Sequence, residues 1–470
     1  MQLEDSMLKL KTFEAVFITI LILSGISFSI IRLEMVPHIP IILSIIFLLI
    51  FGLIKGVSIE RLEAGIVEGA KSGLGAIMIF FFIGMLISSW IASGTIPTIV
   101  YFTSEMITGQ FYFAIVFVIT AIIGLSIGSS LTTAATIGII FISISQSLEL
   151  SLPITAGAII SGAFFGDKMS PLSDTTNLAS TIVKVDLFEH IRNMAWTTVP
   201  AFIFTFIFFI LLSPKDAQID ASTLEIMNTV LMELDFIHLW ALIPFLILVF
   251  LALKKVSAII TLSASIVSAM IIAFCTQTHL GTKNILSTLY FGYVSNSGNE
   301  KIDTLLTRGG MESMLFSVSL VILSLSMGGL LFKLGILPAL LSSIQRFLRK
   351  ASIIICSAAA TAIGINFLLG EQYLSILLTG NTFHELFQKA GLESKNLSRV
   401  LEDAGTVINP LVPWGVSGIF LTNVLGVTTV DYFPFTFFCL FSPLLTVLFG
   451  LTGFTISKKD VLPSITSSNI

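Results

Sequence analysis

Charged residues are scarce in this sequence. Asp, Glu, Lys and Arg make up only 11% of its 470 residues, whereas 55% are hydrophobic. Since about a quarter of the residues in a soluble domain are charged, this composition excludes a soluble protein with an ordinary core. The sequence has no basic tract, which argues against nucleic acid as a partner. It also has no Walker motif, which excludes ATP as the direct source of energy.

Cysteine is rare as well. Cys275, Cys356 and Cys439 each lie in an apolar run, and no two of them share the close spacing of a metal or redox motif. We therefore predict neither a disulfide framework nor a metal cofactor, and we expect the three cysteines to be buried packing residues. No other resident cofactor is indicated.

Long apolar runs dominate the chain instead. They lie at 13–31, 39–54, 75–92, 111–125, 194–212, 236–253, 256–275, 314–332, 351–369 and 432–454. A helix needs about 20 apolar residues to cross a bilayer, and allowance for broken segments gives about 12 crossings. The sequence therefore predicts an all-α polytopic membrane protein in the cell membrane, with lipid around it.

Four landmarks occur twice, in the same order. The pairs are GTIPTIV at 94 with GILPALL at 335, the break at Gly128 with that at Gly370, Pro171 with Pro410, and VDLFEH at 185 with VDYFPF at 430. Each pair is separated by 239 to 245 residues. The regular offset indicates an internal repeat.

Loop charge predicts that the two repeats have opposite orientations, because positive residues concentrate in cytoplasmic loops. The loops that we place inside contain Lys9, Lys11, Lys55, Arg61, Lys71, Lys184, Arg192, Lys254, Lys255, Arg346, Arg349, Lys350, Lys458 and Lys459. The acidic segment 213–235 belongs outside. We divide the chain into a first inverted repeat (1–212), an extracellular linker (213–235), a second inverted repeat (236–457) and a cytoplasmic tail (458–470), with both termini cytoplasmic. Inverted repeats are typical of secondary transporters, whose binding site lies near the bilayer midplane.

The segment GAFFGDKMSPLSDTTNLAS at 162–180 carries charge within this apolar context. Burying Asp167, Lys168 or Asp174 in lipid costs at least ~2.5–3.5 kcal/mol each, so we expect these residues to face a protein cavity. Pro171 cannot donate to the carbonyl of Asp167, which predicts a broken helix with a free carbonyl. Hydroxyl, amide and carboxylate oxygens then cluster at the break, and such oxygens are the ligands that hard cations prefer.

Three further breaks resemble this one in composition. LSRVLEDAGTVINPLVPWGVSG at 397–418 contains Pro410 and Pro413, which would free the carbonyls of Thr406 and Asn409. GSSLTTAATIG begins at Gly128, and GEQYLSILLTG begins at Gly370. We predict that the four breaks, which would become broken helices and re-entrant hairpins, meet at one site.

The predicted site has two sets of residues. The cation- and proton-binding set is Asp167, Ser170, Asp174, Thr175, Asn177, Glu402, Asp403, Thr406 and Asn409, with Na⁺ held by Asp174, Ser170 and Asn409. The substrate-lining set is Ser129, Ser130, Thr132, Thr133, Glu371, Gln372 and Trp414. Because removal from water favours the neutral form of a carboxylate, H⁺ and Na⁺ would compete for these groups. A carrier that crosses only when such a carboxylate is neutralised is an exchanger.

Two of these segments carry a family resemblance. GAFFGDKMSPLSDTTNLA and LSRVLEDAGTVINPLVPW closely resemble the signature segments of the NhaC-type Na⁺/H⁺ antiporter family, and GEQYLSILLTG is similar to its second-half hairpin. The resemblance extends over most of the chain. It implies inverted repeats with paired hairpins and the exchange of Na⁺ for H⁺. Some members of the family exchange malate and lactate, and related carriers move amino acids. The chain departs from the family at Leu131, Thr132 and 415–417, so the substrate stays open.

Other functions are compatible with some of these features. A Na⁺- or H⁺-coupled carrier of an organic anion or amino acid would use the same breaks. An intramembrane aspartyl protease needs two facing carboxylates, which Asp167 with Glu402 or Asp403 would supply, but the hydroxyl-rich surroundings favour ion binding. Paired breaks describe a carrier better than a channel. We therefore predict a secondary active transporter, a Na⁺/H⁺ antiporter and not an enzyme. Its partners would be Na⁺, H⁺ and lipid, with an organic anion and a second copy of the chain as further candidates.

Several of these residues have simpler structural explanations. Lys168 is either a counter-charge for Asp167 or Asp174, or a side chain that extends to the interface. Asp403 has Arg399 one turn earlier as a partner for an ion pair. Hydroxyls in the 128–136 break are expected to bond back to helix carbonyls.

Capping and interfacial positions are predicted as well. The structural alternative for Glu371 is the cap of a hairpin at the outer surface, and Asp186 and Asp431 are expected to be N-caps. Trp196, Trp240 and Tyr432 are expected at the membrane interface.

Overall fold

The computed structural model describes residues 10–106, 111–214, 232, 236–254, 256–277, 281–298, 303, 306–345 and 350–458. Most of the predicted linker and tail lies outside these residues, as do the orientation signals Lys9, Lys255, Arg346, Arg349 and Lys459. The described residues form helices joined by turns, and β pairing among them is limited to isolated bridges. The all-α expectation is confirmed for this part of the chain.

The described part of the first half is built from ten helices. They are α1 (Thr12–Ile31), α2 (His38–Ile54), α3 (Ile59–Ser72), α4 (Leu74–Ala92), α5 (Thr95–Met106), α6 (Tyr112–Ile127), α7 (Ser130–Thr133, continued through a π-helical turn at Ala134–Gly138 into Ile139–Ser147), α8 (Leu152–Met169), α9 (Asp174–Ile182) and α10 (Leu187–Leu212).

The second half follows with helices α11 to α21. They are α11 (a 3-10 turn at Leu239–Leu242 continued by Ile243–Leu253), α12 (Ala258–Thr276), α13 (Thr282–Phe291), α14 (Leu315–Lys333, preceded by a 3-10 turn at Glu312–Met314), α15 (Ile336–Gln345), α16 (Ala351–Leu369), α17 (Gln372–Lys389), α18 (Ser394–Val400, continued by a π-helical turn at Leu401–Thr406 and a 3-10 turn at Asn409–Leu411), α19 (Val416–Leu425), α20 (Thr429–Tyr432, then a 3-10 turn at Phe433–Phe435) and α21 (Phe437–Thr452).

Glycines in the left-handed region end helices at matched places in the two halves. Gly128 ends α6 with φ of 71°, and Gly370 ends α16 with φ of 68°. Glycine adopts this conformation without strain because it has no Cβ. The following residue caps the next helix in each case: the side chains of Ser129 and Glu371 each accept a backbone N–H three residues onward. Both predicted breaks are present, and Glu371 is a helix cap.

Prolines produce the other two breaks. α8 ends directly before an extended Ser170, and Pro171 and a turn then lead into α9. α18 ends in its 3-10 turn, and Pro413 lies between it and α19, so that the two pieces are bent by 47°. Because proline lacks an N–H and disfavours the α conformation in the residue before it, neither helix continues.

Small residues allow the closest helix contacts. α6 packs against α8 at Gly166, where a Cβ would lie 2.4 Å from the backbone nitrogen of Leu125. α3 packs against α14 at Gly329, where a Cβ would lie 2.1 Å from the carbonyl oxygen of Gly65. Such contacts stabilise helix pairs in membranes. The first contact also fixes the backbone beside Asp167.

Six helices are long and apolar enough to cross a membrane, and counting the bent pairs α18–α19 and α20–α21 raises the total to eight among the described residues. α2, α6, α7 and α11 are shorter apolar helices. The protein is therefore a polytopic helical membrane protein. The predicted total of about 12 crossings and the inverted repeats stay predictions.

The two halves interlock. α8 and α10 of the first half pack against α21 of the second, and α9 packs against α17 and α18. These contacts place the proline break of the first half beside the helices that carry both breaks of the second half.

Four predicted residue positions differ from the structure. Cys275 is exposed and Cys356 is only partly buried, because an apolar run does not tell which face of a helix is covered by other helices. Tyr432 is buried, and its hydroxyl donates to the carbonyl of Pro410 at 2.6 Å. The residue that caps α20 is Thr428, and Asp431 lies within the helix.

Candidate functional site

A cavity of about 650 Å³ lies where the four breaks meet. Its walls contain residues of all four: 128–132; 167, 171–172, 174–175 and 177; 371–373; and 409 with 416–417. The start of α4 and the turn between α11 and α12 complete the lining. We call this space the central cavity. Its volume is in the usual range for small-ligand sites.

The predicted site residues fall into two groups. Those that line the central cavity are Ser129, Ser130, Thr132, Asp167, Asp174, Thr175, Asn177, Glu371, Gln372 and Asn409. Those that are buried behind its walls are Thr133, Ser170, Glu402, Asp403, Thr406 and Trp414.

Asp167 joins two breaks. The backbone N–H and the hydroxyl of Ser130 and the hydroxyl of Ser173 lie close enough to its carboxylate to stabilise its negative charge. Ser130 is the first residue of α7, so the N-terminal end of that helix faces the carboxylate and favours its negative charge. Only 4% of Asp167 is exposed. The acid is therefore held in place while it still reaches the central cavity.

Asp174 is the carboxylate most open to the central cavity. It is exposed and is the first residue of α9. Thr175 follows it, with its hydroxyl 3.0 Å from that of Ser173. The side-chain amide of Asn177 holds the turn together by donating to the carbonyl of Pro171 at 3.0 Å. Asp174 thus lies on a rigid turn with further oxygen atoms beside it.

Glu402 is buried behind the wall. It has no exposed surface, and neither carboxylate oxygen has a hydrogen-bond partner among the described residues. The hydroxyl of Thr406, four residues onward, is the polar group beside this carboxylate, but the two do not meet hydrogen-bond geometry, and the hydroxyl has no other partner among the described residues. The charged side chains that act on Glu402 are Asp167, Lys168 and Asp403.

Lys168 and Asp403 form a fully buried ion pair between the two halves. Lys168 Nζ contacts Asp403 Oδ1 and donates to Ser442 Oγ at 2.9 Å. Ser442 Oγ donates to Asp403 Oδ1 at 2.7 Å, and Thr197 and Thr446 donate to Oδ2. The pair has the hydrogen bonds that buried charges need.

This pair decides between the alternatives for its members. Lys168 pairs with Asp403, so it neither reaches the interface nor pairs with Asp167 or Asp174. Consecutive residues of a helix point about 100° apart, and of the neighbours Asp167 and Lys168 only Asp167 faces the central cavity. Arg399 does not pair with Asp403; its Nη1 donates to Thr455 at 3.1 Å.

Two carbonyls that the prolines were expected to free are engaged. The carbonyl of Asp167 accepts the N–H of Ser170 at 3.1 Å, and that of Asn409 accepts the N–H of Val412 at 3.2 Å. In both cases the carbonyl accepts the N–H of the residue three positions onward, as in a 3-10 turn, and this hydrogen bond replaces the one that proline cannot donate. The expectation of free carbonyls at these two residues is therefore wrong.

Other predicted site residues have partners within the fold. Asn409 Oδ1 accepts the N–H of Ser417 at 2.8 Å, and Trp414 Nε1 donates to the carbonyl of Phe367 at 2.7 Å. Ser170 Oγ accepts the N–H two residues onward at 3.2 Å. These contacts stabilise the turns that form the wall.

The hydroxyl-rich break at 128–136 combines both expected roles. Thr133 and Thr136 donate to the carbonyls four residues earlier, each at 2.8 Å, as the structural alternative predicted. The hydroxyl of Ser130 instead lies beside the carboxylate of Asp167. The back-bonding hydroxyls shape α7 around its π-helical turn.

Several residues of the site were not predicted. Tyr373 lines the central cavity within electrostatic reach of Asp167, Asp174, Glu371 and Glu402. Its position directly after Glu371 and Gln372 was the available signal.

The hydroxyls around the ion pair were missed as well. Ser442 and Thr446 are four residues apart on α21, so they share a face, and this spacing within an apolar run is a readable signal. Thr197 on α10 gave no such signal.

The carboxylates do not form a cluster of the metal-binding kind. Within the described ranges, no three His, Cys, Asp or Glu side chains are grouped closely enough to hold one metal ion.

Interrupted helices around a buried, charged cavity are typical of secondary transporters. The chain belongs to the Na⁺/H⁺ antiporter family, whose profile matches residues 162–454. It is 40% identical over 430 residues to the Na⁺/H⁺ antiporter NhaC of Alkalihalophilus pseudofirmus, an alignment that covers 92% of this chain and 93% of that protein. It is 39% identical over 448 residues to NhaC of Bacillus subtilis, covering 95% and 99%. It is also 35% identical over 409 residues to the malate-2H⁺/Na⁺-lactate antiporter of Bacillus subtilis, covering 86% and 87%.

Proposed function

We propose that this protein exchanges Na⁺ for H⁺ across the cell membrane by alternating access at the central cavity. The observation that carries the proposal is the placement of Asp174 in the cavity, Asp167 in its wall and Glu402 directly behind that wall. The first two come from one half of the chain and the third from the other. Relative movement of the halves would therefore change the surroundings of all three acids.

Glu402 is the proposed proton carrier. A charged carboxylate that is buried without hydrogen bonds is strongly disfavoured, and Glu402 has no such bonds among the described residues. The negative charge of Asp167 nearby adds to this cost by more than the positive charge of Lys168 reduces it. Glu402 must therefore be neutralised, by a proton or by a cation close to it.

Asp174 and Asp167 are the proposed route for Na⁺. Asp174 would capture the ion from the cavity, with Thr175, Asn177 and Ser130 supplying neighbouring oxygens. Of the three Na⁺ ligands predicted from the sequence, Asp174 keeps that role in the proposal. Asn409 and Ser170 would hold the wall, since their oxygens already accept backbone N–H groups.

The proposed orientation places both termini in the cytoplasm and the two repeats in opposite senses, with about 12 crossings. The central cavity is lined by residues next to Lys71 and Lys254, which belong to predicted cytoplasmic loops. The described arrangement then corresponds to a carrier open to the cytoplasm.

Reconstitution tests the proposal. We expect a Na⁺ gradient to drive proton movement in proteoliposomes that contain no organic solute. Asp174→Asn and Glu402→Gln should each reduce this flux by at least about 10-fold, the effect of losing one charge-assisted contact. Glu385→Gln is the matched control, because Glu385 is 78% exposed and its partner Lys389 is on the same helix. Normal flux in both site variants would remove these carboxylates from the mechanism.

A coupled carrier of an organic anion is the second candidate. It is favoured by the similarity to the malate-2H⁺/Na⁺-lactate antiporter, which extends over most of both chains. In this case Na⁺ would move protons only when an organic anion is supplied. Strict dependence on malate, lactate or an amino acid would replace the first candidate with the second.

A further inference from the structure

A second, smaller cavity lies on the far side of the central cavity from Lys71 and Lys254. Its volume is about 190 Å³, and its walls include Ile87, Ile139, Val424 and Arg308. We call this space the outer cavity.

The outer cavity and the central cavity share three helices. Phe80, Thr132 and Ser417 line the central cavity on α4, α7 and α19. The residues seven positions onward, Ile87, Ile139 and Val424, line the outer cavity. Seven residues are two helical turns, or about 10 Å. The outer cavity is therefore stacked on the central cavity along the same three walls.

Two aromatic rings lie between the cavities. Phe80 on α4 and Phe420 on α19 are both fully buried, and their ring centroids are 4.8 Å apart. Phe420 comes between Ser417 of the central cavity and Val424 of the outer one. A separation of these rings would join the two cavities into one path.

Arg308 is the charged side chain of the outer cavity. Its Nη1 is buried without a hydrogen-bond partner among the described residues. The carboxylate of Asp303, five residues earlier in the chain, is engaged elsewhere, since it accepts the hydroxyl of Ser295 and the N–H of Ser297, each at 2.7 Å. No described carboxylate pairs with the guanidinium.

The backbone around Arg308 holds it in this position. Its carbonyl accepts the N–H of Tyr293 at 3.1 Å, and the N–H of Gly310 donates to Gly84 of α4 at 2.7 Å. Gly426, at the end of α19, leaves room for the guanidinium: a Cβ there would lie 2.8 Å from Arg308 Nη2. An arginine fixed against two helices with an unused donor is suited to bind an anion.

We propose that the outer cavity is a binding subsite for small carboxylates, with Arg308 as the group that holds the carboxylate. A planar guanidinium matches a carboxylate with two parallel hydrogen bonds. The walls of Ile87, Ile139 and Val424 would enclose a short apolar stem. The placement of this cavity on the transport path rests on the proposed function, whereas the binding of a carboxylate to Arg308 does not.

Binding is tested without an ion gradient. Saturation-transfer NMR would be titrated with acetate and with succinate on the full-length protein in nanodiscs. Arg308→Gln should weaken binding about 10- to 100-fold, since it removes a charge-assisted contact. Ile139→Phe should weaken it similarly by filling the cavity while Arg308 stays. Arg32→Gln, at an exposed position, is the control and should bind as the wild type does.

The possible outcomes separate clearly. No saturable binding to the wild type, or unchanged binding in Arg308→Gln and Ile139→Phe, would overturn the proposal. Complete displacement of succinate by an equal concentration of chloride would overturn the carboxylate assignment. If Arg308→Gln does not fold, Ile139→Phe still decides the question. Na⁺-driven proton flux is measured separately on the same wild-type protein, so its failure would count against the proposed function and not against this subsite.

Discussion

Asp403→Asn perturbs the buried ion pair and leaves its surroundings in place. The wild-type carboxylate contacts Lys168 and accepts hydrogen bonds from Ser442, Thr197 and Thr446. Asparagine has nearly the same shape, but it is neutral and has one acceptor oxygen in place of two. Lys168 would then be a buried cation without a counter-charge.

The expected cost follows from the contacts that remain. Lys168 would keep Ser442 at 2.9 Å and the ring of Phe438, whose centroid is 5.6 Å from Nζ. A desolvated cation–π contact contributes about 2 kcal/mol or more, but it is present before the change as well, so it does not offset the loss. Removing one partner of a buried ion pair costs about 3–5 kcal/mol. We expect Asp403→Asn to lower the free energy of unfolding by this amount.

A comparison of variants measures this effect. Equilibrium unfolding in mixed micelles would be compared for the wild type, for Asp403→Asn and for the double variant Lys168→Met with Asp403→Leu. The double variant should recover most of the loss, because two apolar side chains remove the cost of burying charge. The exposed pair Lys389–Glu385 is the control: Glu385→Gln should change stability by less than about 0.5 kcal/mol.

Two results would refute this reasoning. One is a loss below about 1 kcal/mol for Asp403→Asn, which would mean that the charge of Lys168 finds water or another partner. The other is a double variant as unstable as the single one, which would mean that packing and not charge decides stability at this position.

Two further substitutions test the packing and the turn behind the site. Gly166→Leu should strongly reduce the yield of folded protein, because its Cβ would lie 2.4 Å from the backbone of Leu125. Gly364→Ala is the control and should be tolerated, because nothing lies within 4 Å of its Cβ. Equal yields of the two variants would contradict the α6–α8 contact. Tyr432→Phe leaves the buried carbonyl of Pro410 without its 2.6 Å hydrogen bond and should cost about 1–3 kcal/mol in the same unfolding assay; unchanged stability would mean that the carbonyl finds another donor.

The breaks were predictable from the sequence because their causes are local. Gly128 and Gly370 adopt conformations that glycine tolerates without strain, and Pro171 and Pro413 remove backbone donors. Charge at these breaks pointed to a cavity because burial in lipid is costly. Of the residues that line the central cavity, this reasoning found Ser129, Ser130, Thr132, Asp167, Asp174, Thr175, Asn177, Glu371, Gln372 and Asn409.

The pairing of buried groups was not predictable in the same way. Lys168 and Asp403 are far apart in the chain, and their contact depends on how α8, α18 and α21 pack. An ion pair between Arg399 and Asp403, one helical turn apart, fitted the spacing expected for such pairs, but Arg399 donates to Thr455 instead. Which acids face the cavity and which lie behind it depends on helix rotation, and uniformly apolar helices do not reveal their rotation.

Arg308 was not predictable from the sequence for the same reason. It lies outside the repeated landmarks and the four breaks, and its neighbours Ile87, Ile139 and Val424 come from helices that are distant in the chain. Its unused donor becomes visible only when the helices are assembled.

Proton release on Na⁺ binding is the most direct test of shared carboxylates. Na⁺ would be titrated into the purified protein in buffers of different ionisation enthalpy, and the heats would give the number of protons released per Na⁺ bound. We expect release in the wild type, weaker Na⁺ binding at lower pH, and reduced release in Glu402→Gln. Na⁺ binding that releases no proton at any pH would contradict competition between the two ions.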